Sequence, residues 1–333
     1  MQTIVNELVF AINDKEAIEH FNQHGWVVLE KVIPEFVLKN VKSQWLEMKS
    51  KYADEMNVSL HDYQSEVSQW RDLWLQGGSF EQMIHGTNLI HERVMEIMGW
   101  DGVRLLHDHI VAKPSGGSNK KIPWHQDSMF WPVDLPGCSS WVSLEDVSTN
   151  DGCLEVVDFS HLEGCMRPVD FMAHERDDFP EDSIRVQLPI KAGSMILLHS
   201  LTWHRSSPNL RSGHRPAHLG LWIHPDCRWR PDLVDWHPVN AHVETRPNTR
   251  LEGERFPMFG SLVEKSAPNI DIHEGTMRES SISMFDASKT IANQISSIIG
   301  KEGDISDLLS SSVNREIIRD NTTANGINSD DKV

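Results

Sequence analysis

The spacing of apolar residues shifts from a mainly helical period in residues 13–98 to short β-rich runs between Arg104 and Asp226. Asn13 with Glu16 three residues on predicts a capping box, Ala17, Ile18 and Phe21 carry the helix that follows, and Gly25 stops it. Trp26 to Val32 then reads as a strand. Pro34 opens a second helix, with Phe36, Val37, Val41, Trp45 and Met48 at helical spacing, ending near Tyr52. A further helix is expected around Val67, Trp70 and Trp74, before Gly77-Gly78. Ser79 and Gln82 make a second capping box, whose helix should run to Met98.

The runs RLLHDHIVA, WVSLEDV, CLEVV, SMILLH and HLGLWIH alternate with Gly, Pro, Asn and Asp clusters, the texture of an antiparallel sandwich or barrel. Residues 161–193, containing HERDDFPED, form a long polar loop between two strands, either a solvated surface segment or a lid over a site. After Asp226 the chain reads as irregular to about residue 280, followed by two amphipathic helical patterns over 281–320 and a disordered tail over 321–333. The expected organisation is one domain over residues 1–280, with a helical part at 1–100 and a β core at about 104–226. No period of a solenoid or propeller repeats.

Composition narrows the class. Lys plus Arg is 31 against 49 for Asp plus Glu, a formal net charge of −18, which argues against a binder of nucleic-acid phosphates or of anionic membrane surfaces. No apolar run approaches the roughly 18 to 20 residues of a membrane span, and the start has no basic region ahead of an apolar stretch. The four cysteines, Cys138, Cys153, Cys165 and Cys227, form no CxxC pair, so neither a zinc knuckle nor a disulfide framework is indicated and a cytoplasmic setting is expected.

The chemistry begins at PWHQDSMFW. His125 and Asp127 are separated by one residue, so in an extended segment both side chains leave the same face and can share a metal ion. Two ligands do not hold an open catalytic metal alone, and His204 in LTWHRSSPN is the best third. Two histidines and a carboxylate with open positions are the ligand set of non-haem Fe(II) oxygenases. Eleven residues after His204 comes Arg215, which alternation places on one apolar face with Ala217, Leu219 and Leu221. A buried arginine requires an anionic partner, which a dicarboxylate would supply. The other reading is an exposed arginine in a hairpin loop beside His214.

On these residues the chain resembles the phytanoyl-CoA dioxygenase-like branch of Fe(II)/2-oxoglutarate oxygenases. The resemblance runs from HGWVVLEKVIP through WHQD, SSWVSLEDVSTNDGCLEVV, the Gly193 turn before SMILLHSLTWH, and HRSSPN with its later arginine, over about residues 13–226. It implies a mainly β fold with flanking helices, a double-stranded β-helix in the form of a closed, cupin-like jelly roll. It further implies that His125, Asp127 and His204 are the iron ligands and that Arg215 grips the distal carboxylate of 2-oxoglutarate. Trp141, Gln126, His109 and Ser206 match positions lining the cosubstrate pocket. With iron, 2-oxoglutarate and O2, the implied reaction yields succinate and removes hydrogen from a small-molecule substrate. Asp158-Phe159-Ser160-His161 departs from the usual Pro-Gly-Ser-His, which leaves the start of the 161–193 loop open in shape. Retention of Asp127 disfavours halogenation.

His107-Asp108-His109 lacks the downstream Glu of a second metal site and reads as pocket lining. Phe130, Trp131 and Trp203 flank the ligands, as a dry wall or as ordinary core. The reading that follows is an oxygenase acting on a small specialised metabolite or amino-acid-derived compound. An acyl-CoA α-hydroxylase and a non-catalytic jelly-roll binding module are the alternatives, and a hydrolase has no G-x-S-x-G elbow to support it. Nothing in the sequence sets the oligomeric state.

Overall fold

The computed structural model describes residues 2–63, 67–86, 89–116, 122–165, 179, 181–261 and 315–318. Asp14, not Asn13, caps the first helix: its carboxylate accepts the Glu16 N–H at 3.0 Å, while Asn13 sits in the left-handed region at φ 73°. The helix runs Lys15–His24 and ends where Gly25 turns left-handed and returns its N–H to Phe21 O at 2.8 Å. The second helix runs Glu35–Glu55 behind Pro34. The single helix expected from Ser79 to Met98 is instead a short turn at Gly78–Glu81, a π turn at Gln82–Gly86 and a helix at Leu89–Met98. The capping box does not form: the Ser79 N–H that Gln82 would have accepted is taken by Gln44 Oε1 of the second helix at 2.7 Å.

Thirteen strands are described: β1 (Gln2–Val5), β2 (Trp26–Leu29), β3 (Val67–Arg71), β4 (Gly102–Lys113), β5 (Ile122–His125), β6 (Cys138–Ser143), β7 (Leu154–Val157), β8 (Ile184–Leu188), β9 (Met195–His199), β10 (His204–Ser206), β11 (Arg215–Ile223), β12 (Met258–Gly260) and β13 (Arg315–Ile318). They form a smaller sheet ordered β1-β8-β7-β10-β5 and a larger one ordered β13-β3-β4-β11-β6-β9-β2, with β12 also on β4. The expected closed jelly roll is corrected here: the two sheets face each other as a double-stranded β-helix without closing into one barrel.

Three local expectations also change. Residues 67–71 are a strand, not a helix, because β3 pairs with β4 and its alternation buries Trp70 against Trp45 on the helical side. The 161–193 segment is not one loop, since Ile184–Leu188 pairs with both β7 and β1. Most of the HERDDFPED stretch expected as a lid lies outside the described residues, as do the 281–320 helices and the 321–333 tail, apart from β13, which pairs with β3.

Register decides what the larger sheet shows to the smaller one. Arg215, Ala217, Leu219 and Leu221 of β11 stand opposite Lys113, Val111, His109 and His107 of β4. On the other side, Ala217, Leu219 and Leu221 stand opposite Ser143, Trp141 and Ser139 of β6. Residues directly opposed project to the same face, so all of these share one surface, and Arg71 of β3 joins it opposite His109. Trp141, Ile196, Leu198 and Ala217 of this face pack against Leu154, Val156, Val186 and Leu188 of the smaller sheet. The opposite face, with Ile110, Val142, Leu197 and Trp222, lies under Val37, Val41 and Trp45 of the second helix.

Gly193 makes the turn into β9 at φ 79°, and its carbonyl accepts the Ile33 N–H at 2.8 Å. A Cβ there would stand 2.6 Å from Ile33 O. Gly193→Ala is expected to cost about 2 kcal/mol or more of folding stability, combining left-handed strain with overlap. Equilibrium urea unfolding reads this as a lower midpoint at unchanged slope.

Candidate metal centre and its surroundings

β5 ends at His125 and β10 begins at His204, and these two residues face each other in antiparallel register with ring centroids 4.1 Å apart. Gln126 is extended, at φ −113° and ψ 138°, and the 3-10 turn Asp127–Met129 follows, so Asp127 returns to the His125 side. Nε2 of His125 and Nε2 of His204 each lie 3.7 Å from Asp127 Oδ1. One ligand atom from each of the three residues lies within 4.8 Å of the others.

The proton positions follow from the partners. His125 Nδ1 donates to Pro123 O and His204 Nδ1 donates to Thr202 O, both at 2.9 Å. A carbonyl only accepts, so each Nδ1 carries the proton and each Nε2 lone pair is left for a metal. Burial, then the neighbouring His204, pushes the His125 pKa down to about 3, which keeps the ring neutral. Ser139 Oγ donates to Asp127 Oδ2, leaving Oδ1 turned to the imidazoles. Two imidazoles and a carboxylate on one side of a gap suit iron(II) with open positions.

Arg215 is only 1% exposed, which removes the reading of a surface hairpin arginine. Its Nε and Nη1 are buried without a hydrogen-bond partner among the described residues, and its guanidinium carbon lies 5.1 Å from the Trp141 ring centroid. Burial lowers its pKa to about 9. Opposite Arg215 stands Lys113, fully buried, whose Nζ donates to Ser206 O at 2.9 Å, to Ser206 Oγ at 3.0 Å and to Ser207 O. The Ser206 hydroxyl therefore meets Lys113. Sequence reasoning missed this lysine, whose one signal is a charged residue closing the apolar run HIVAK.

The other expected residues are distributed more widely. Gln126 is buried, and its amide donates to Gly164 O at 2.8 Å and Leu201 O at 2.6 Å, tying two loops beneath the metal residues. His109 lies across Leu219 from Trp141. Phe130 adjoins His125 with ring centroids 6.0 Å apart, whereas Trp131 packs with Val133 and Leu221, and Trp203 with Trp124 and Met129. Asp108 turns to the opposite face and meets His218 Nε2 at 3.1 Å, so His107-Asp108-His109 does not converge on one point.

Comparison with known proteins places these features in context. Residues 21–217 match the family model for phytanoyl-CoA dioxygenase. The peroxisomal phytanoyl-CoA dioxygenase of Homo sapiens is 23% identical over 249 residues, covering 64% of this chain and 69% of that protein. The phytanoyl-CoA dioxygenase of Arabidopsis thaliana is 29% identical over 148 residues, covering 40% of this chain and 50% of that protein. In fold, the chain is similar to the non-heme alpha ketoglutarate dependent carbocyclase SnoK from nogalamycin biosynthesis, with a TM-score of 0.59, 21% identity, and 74% of this chain and 96% of that chain covered. The epimerase SnoN, solved in complex with Fe3+, alpha ketoglutarate and nogalamycin RO, gives a TM-score of 0.59 at 18% identity, covering 73% and 97%.

Ser139→Ala frees the second oxygen of Asp127 without touching either histidine. Iron(II) affinity is expected to fall about ten-fold or more while the fold is retained. Anaerobic iron titration followed by circular dichroism checks both halves of that expectation.

Proposed function

The chain belongs to the phytanoyl-CoA dioxygenase family and is a non-haem iron- and 2-oxoglutarate-dependent oxygenase; on that premise we propose that it carries out oxidative C–H functionalisation of a small specialised-metabolite or amino-acid-derived substrate, by hydroxylation, desaturation or oxidative ring closure. One observation carries the assignment of residues: the buried Arg215, with two nitrogens lacking an acceptor among the described residues, faces the same interior as the convergent His125, Asp127 and His204. In this reading His125 Nε2, His204 Nε2 and Asp127 hold iron(II), and Arg215 holds the distal carboxylate of 2-oxoglutarate against Trp141. Ser206 lines the cosubstrate pocket through its contact with Lys113, Gln126 supports the ligand loop, and His109 lines the pocket towards the substrate.

When bound, iron with O2 oxidatively decarboxylates 2-oxoglutarate to succinate and supplies the oxidising power for the substrate C–H bond. The protein positions and protects. The Pro123 and Thr202 carbonyls hold the two imidazoles in their tautomers, Ser139 orients Asp127, and Phe130 places an apolar ring beside His125.

The shared fold with a carbocyclase and an epimerase supports keeping ring closure among the outcomes. The names of the curated relatives favour a second reading, α-hydroxylation of an acyl-CoA. A net charge of −18 weighs against it, since coenzyme A carries several phosphates. No described helix is long and apolar enough to cross a membrane.

Substitution of His125, Asp127 or His204 by Ala is expected to abolish O2-dependent succinate release with the fold intact, read in a metabolite screen that includes free acids and acyl-CoA thioesters. Arg215→Leu should raise the 2-oxoglutarate requirement, losing about 2 to 5 kcal/mol of cosubstrate binding, with little change in iron affinity. Separate titrations of iron and 2-oxoglutarate distinguish the two effects.

A further inference from the structure

Lys113 ends β4 with a side chain that is fully buried. Its Nζ meets three oxygens: Ser206 O at 2.9 Å, Ser206 Oγ at 3.0 Å and Ser207 O. An ammonium has three N–H groups and no acceptor, so each of its protons has a place. Burial, then Arg215, lowers the lysine pKa, and three acceptors around one ammonium work against that shift. The two carbonyls can only accept. The hydroxyl can do both, and with Lys113 donating to its oxygen the Ser206 O–H is left to donate. Among the described residues that O–H has no acceptor.

The backbone turns this hydroxyl to the side of the metal residues. Along β10 the pairing with β7 is regular, His204 with Val156, Arg205 with Glu155 and Ser206 with Leu154. Val156 and Leu154 pack between the two sheets, so His204 and Ser206 point inward, while Arg205 meets Glu155 on the other face. Two residues of strand put Ser206 about 7 Å along β10 from His204, a span that a five-carbon dicarboxylate covers.

The larger sheet supplies the rest. Arg215 stands directly opposite Lys113, so the two cations project side by side from one face, with Cβ atoms about 5 Å apart. Like charges so placed repel, and packing alone does not require a second charge there. Arg215 Nε and Nη1 are buried without a partner among the described residues. One end of the interior thus holds two guanidinium nitrogens and one hydroxyl with nothing to donate to, all beside an ammonium whose protons are spent.

We propose that Lys113 is a positioning residue for the cosubstrate: by donating to Ser206 Oγ it aims the Ser206 O–H at the distal carboxylate gripped by Arg215. The role rests on the reading of Arg215 as the 2-oxoglutarate anchor. Lys113 acts through Ser206 and not on the cosubstrate itself.

The test uses the full chain loaded anaerobically with iron(II), titrated calorimetrically with 2-oxoglutarate and with 2-oxopentanoate, a 2-oxo acid of the same chain length without the distal carboxylate. Lys113→Met is expected to weaken 2-oxoglutarate binding about ten-fold or more and to leave iron and 2-oxopentanoate binding unchanged, because only the distal carboxylate meets the Ser206 hydroxyl. A strut that merely ties β4 to β10 would cost both ligands equally. Ser206→Ala should give a loss of similar size, and Ser206→Thr, which keeps the hydroxyl, should keep the affinity. The Lys113→Met, Ser206→Ala double variant should bind within about three-fold of Lys113→Met alone, since one residue acts through the other. Should Lys113→Met not fold, Lys113→Gln and Ser206→Ala decide: the first removes the charge, the second removes the hydroxyl, and both should lose affinity for 2-oxoglutarate alone. Equal losses for the two ligands, additive losses in the double variant, or an unchanged preference for 2-oxoglutarate in the lysine variant or in Ser206→Ala overturns the role. If the wild-type chain binds iron and 2-oxoglutarate in that case, the oxygenase reading stands without it. If it binds neither, the oxygenase reading fails and takes the role with it.

Discussion

Strand register carries the site. β10 meets β5 so that His204 faces His125, and β11 meets β4 and β6 so that Arg215, Trp141 and Ser139 look into the same interior. Side chains alternate along a strand, so a slip of one residue in β11 would send Arg215 under the helices and bring His218 inward. What holds the register is apolar packing on both faces at once. Ala217 and Leu219 are taken up between the sheets and Trp222 beneath the helices, and no shifted pairing satisfies both.

The interior that results is electrostatically lopsided. The chain carries a net charge of −18, yet the inner face of the larger sheet presents Lys113 and Arg215 directly opposite each other. Asp127 is tied to the metal residues, while Asp108 is on the opposite face. Buried cations without matching anions are costly. Arg215 carries the cost in two buried nitrogens without a partner among the described residues, and Lys113 meets it by donating to Ser206 and Ser207. Stability given up at such positions is recovered when an anionic ligand arrives, and binding then has a strong electrostatic component in a dry site.

The histidines form the counterpart. His125 and His204 are each locked by a backbone carbonyl two residues earlier in the chain, so the local conformation at the end of β5 and the start of β10 sets a tautomer that leaves Nε2 open to a metal ion. His237 is also held by a group two residues away, but there the backbone donates rather than accepts, which turns the imidazole proton towards Arg71.

The sequence by itself determined the local pattern and the donor chemistry. The His-x-Asp spacing, the later histidine, the apolar company of Arg215 and the β texture from Arg104 onward are all short-range features, visible because side-chain direction repeats along a strand. Tertiary structure decided everything that depends on which residue stands opposite which. Val67, Trp70 and Trp74 have helical spacing, but the open edge of β4 drew residues 67–71 into a strand, and that pairing alone put Arg71 on the inner face. Gln44 took the N–H of Ser79, and the capping box failed. Lys113 gained its meaning from being the register partner of Arg215, and Ser139 from reaching Asp127. These are contacts between segments far apart in the chain, fixed by the packing of two sheets and a helical layer, and no periodicity within one segment encodes them.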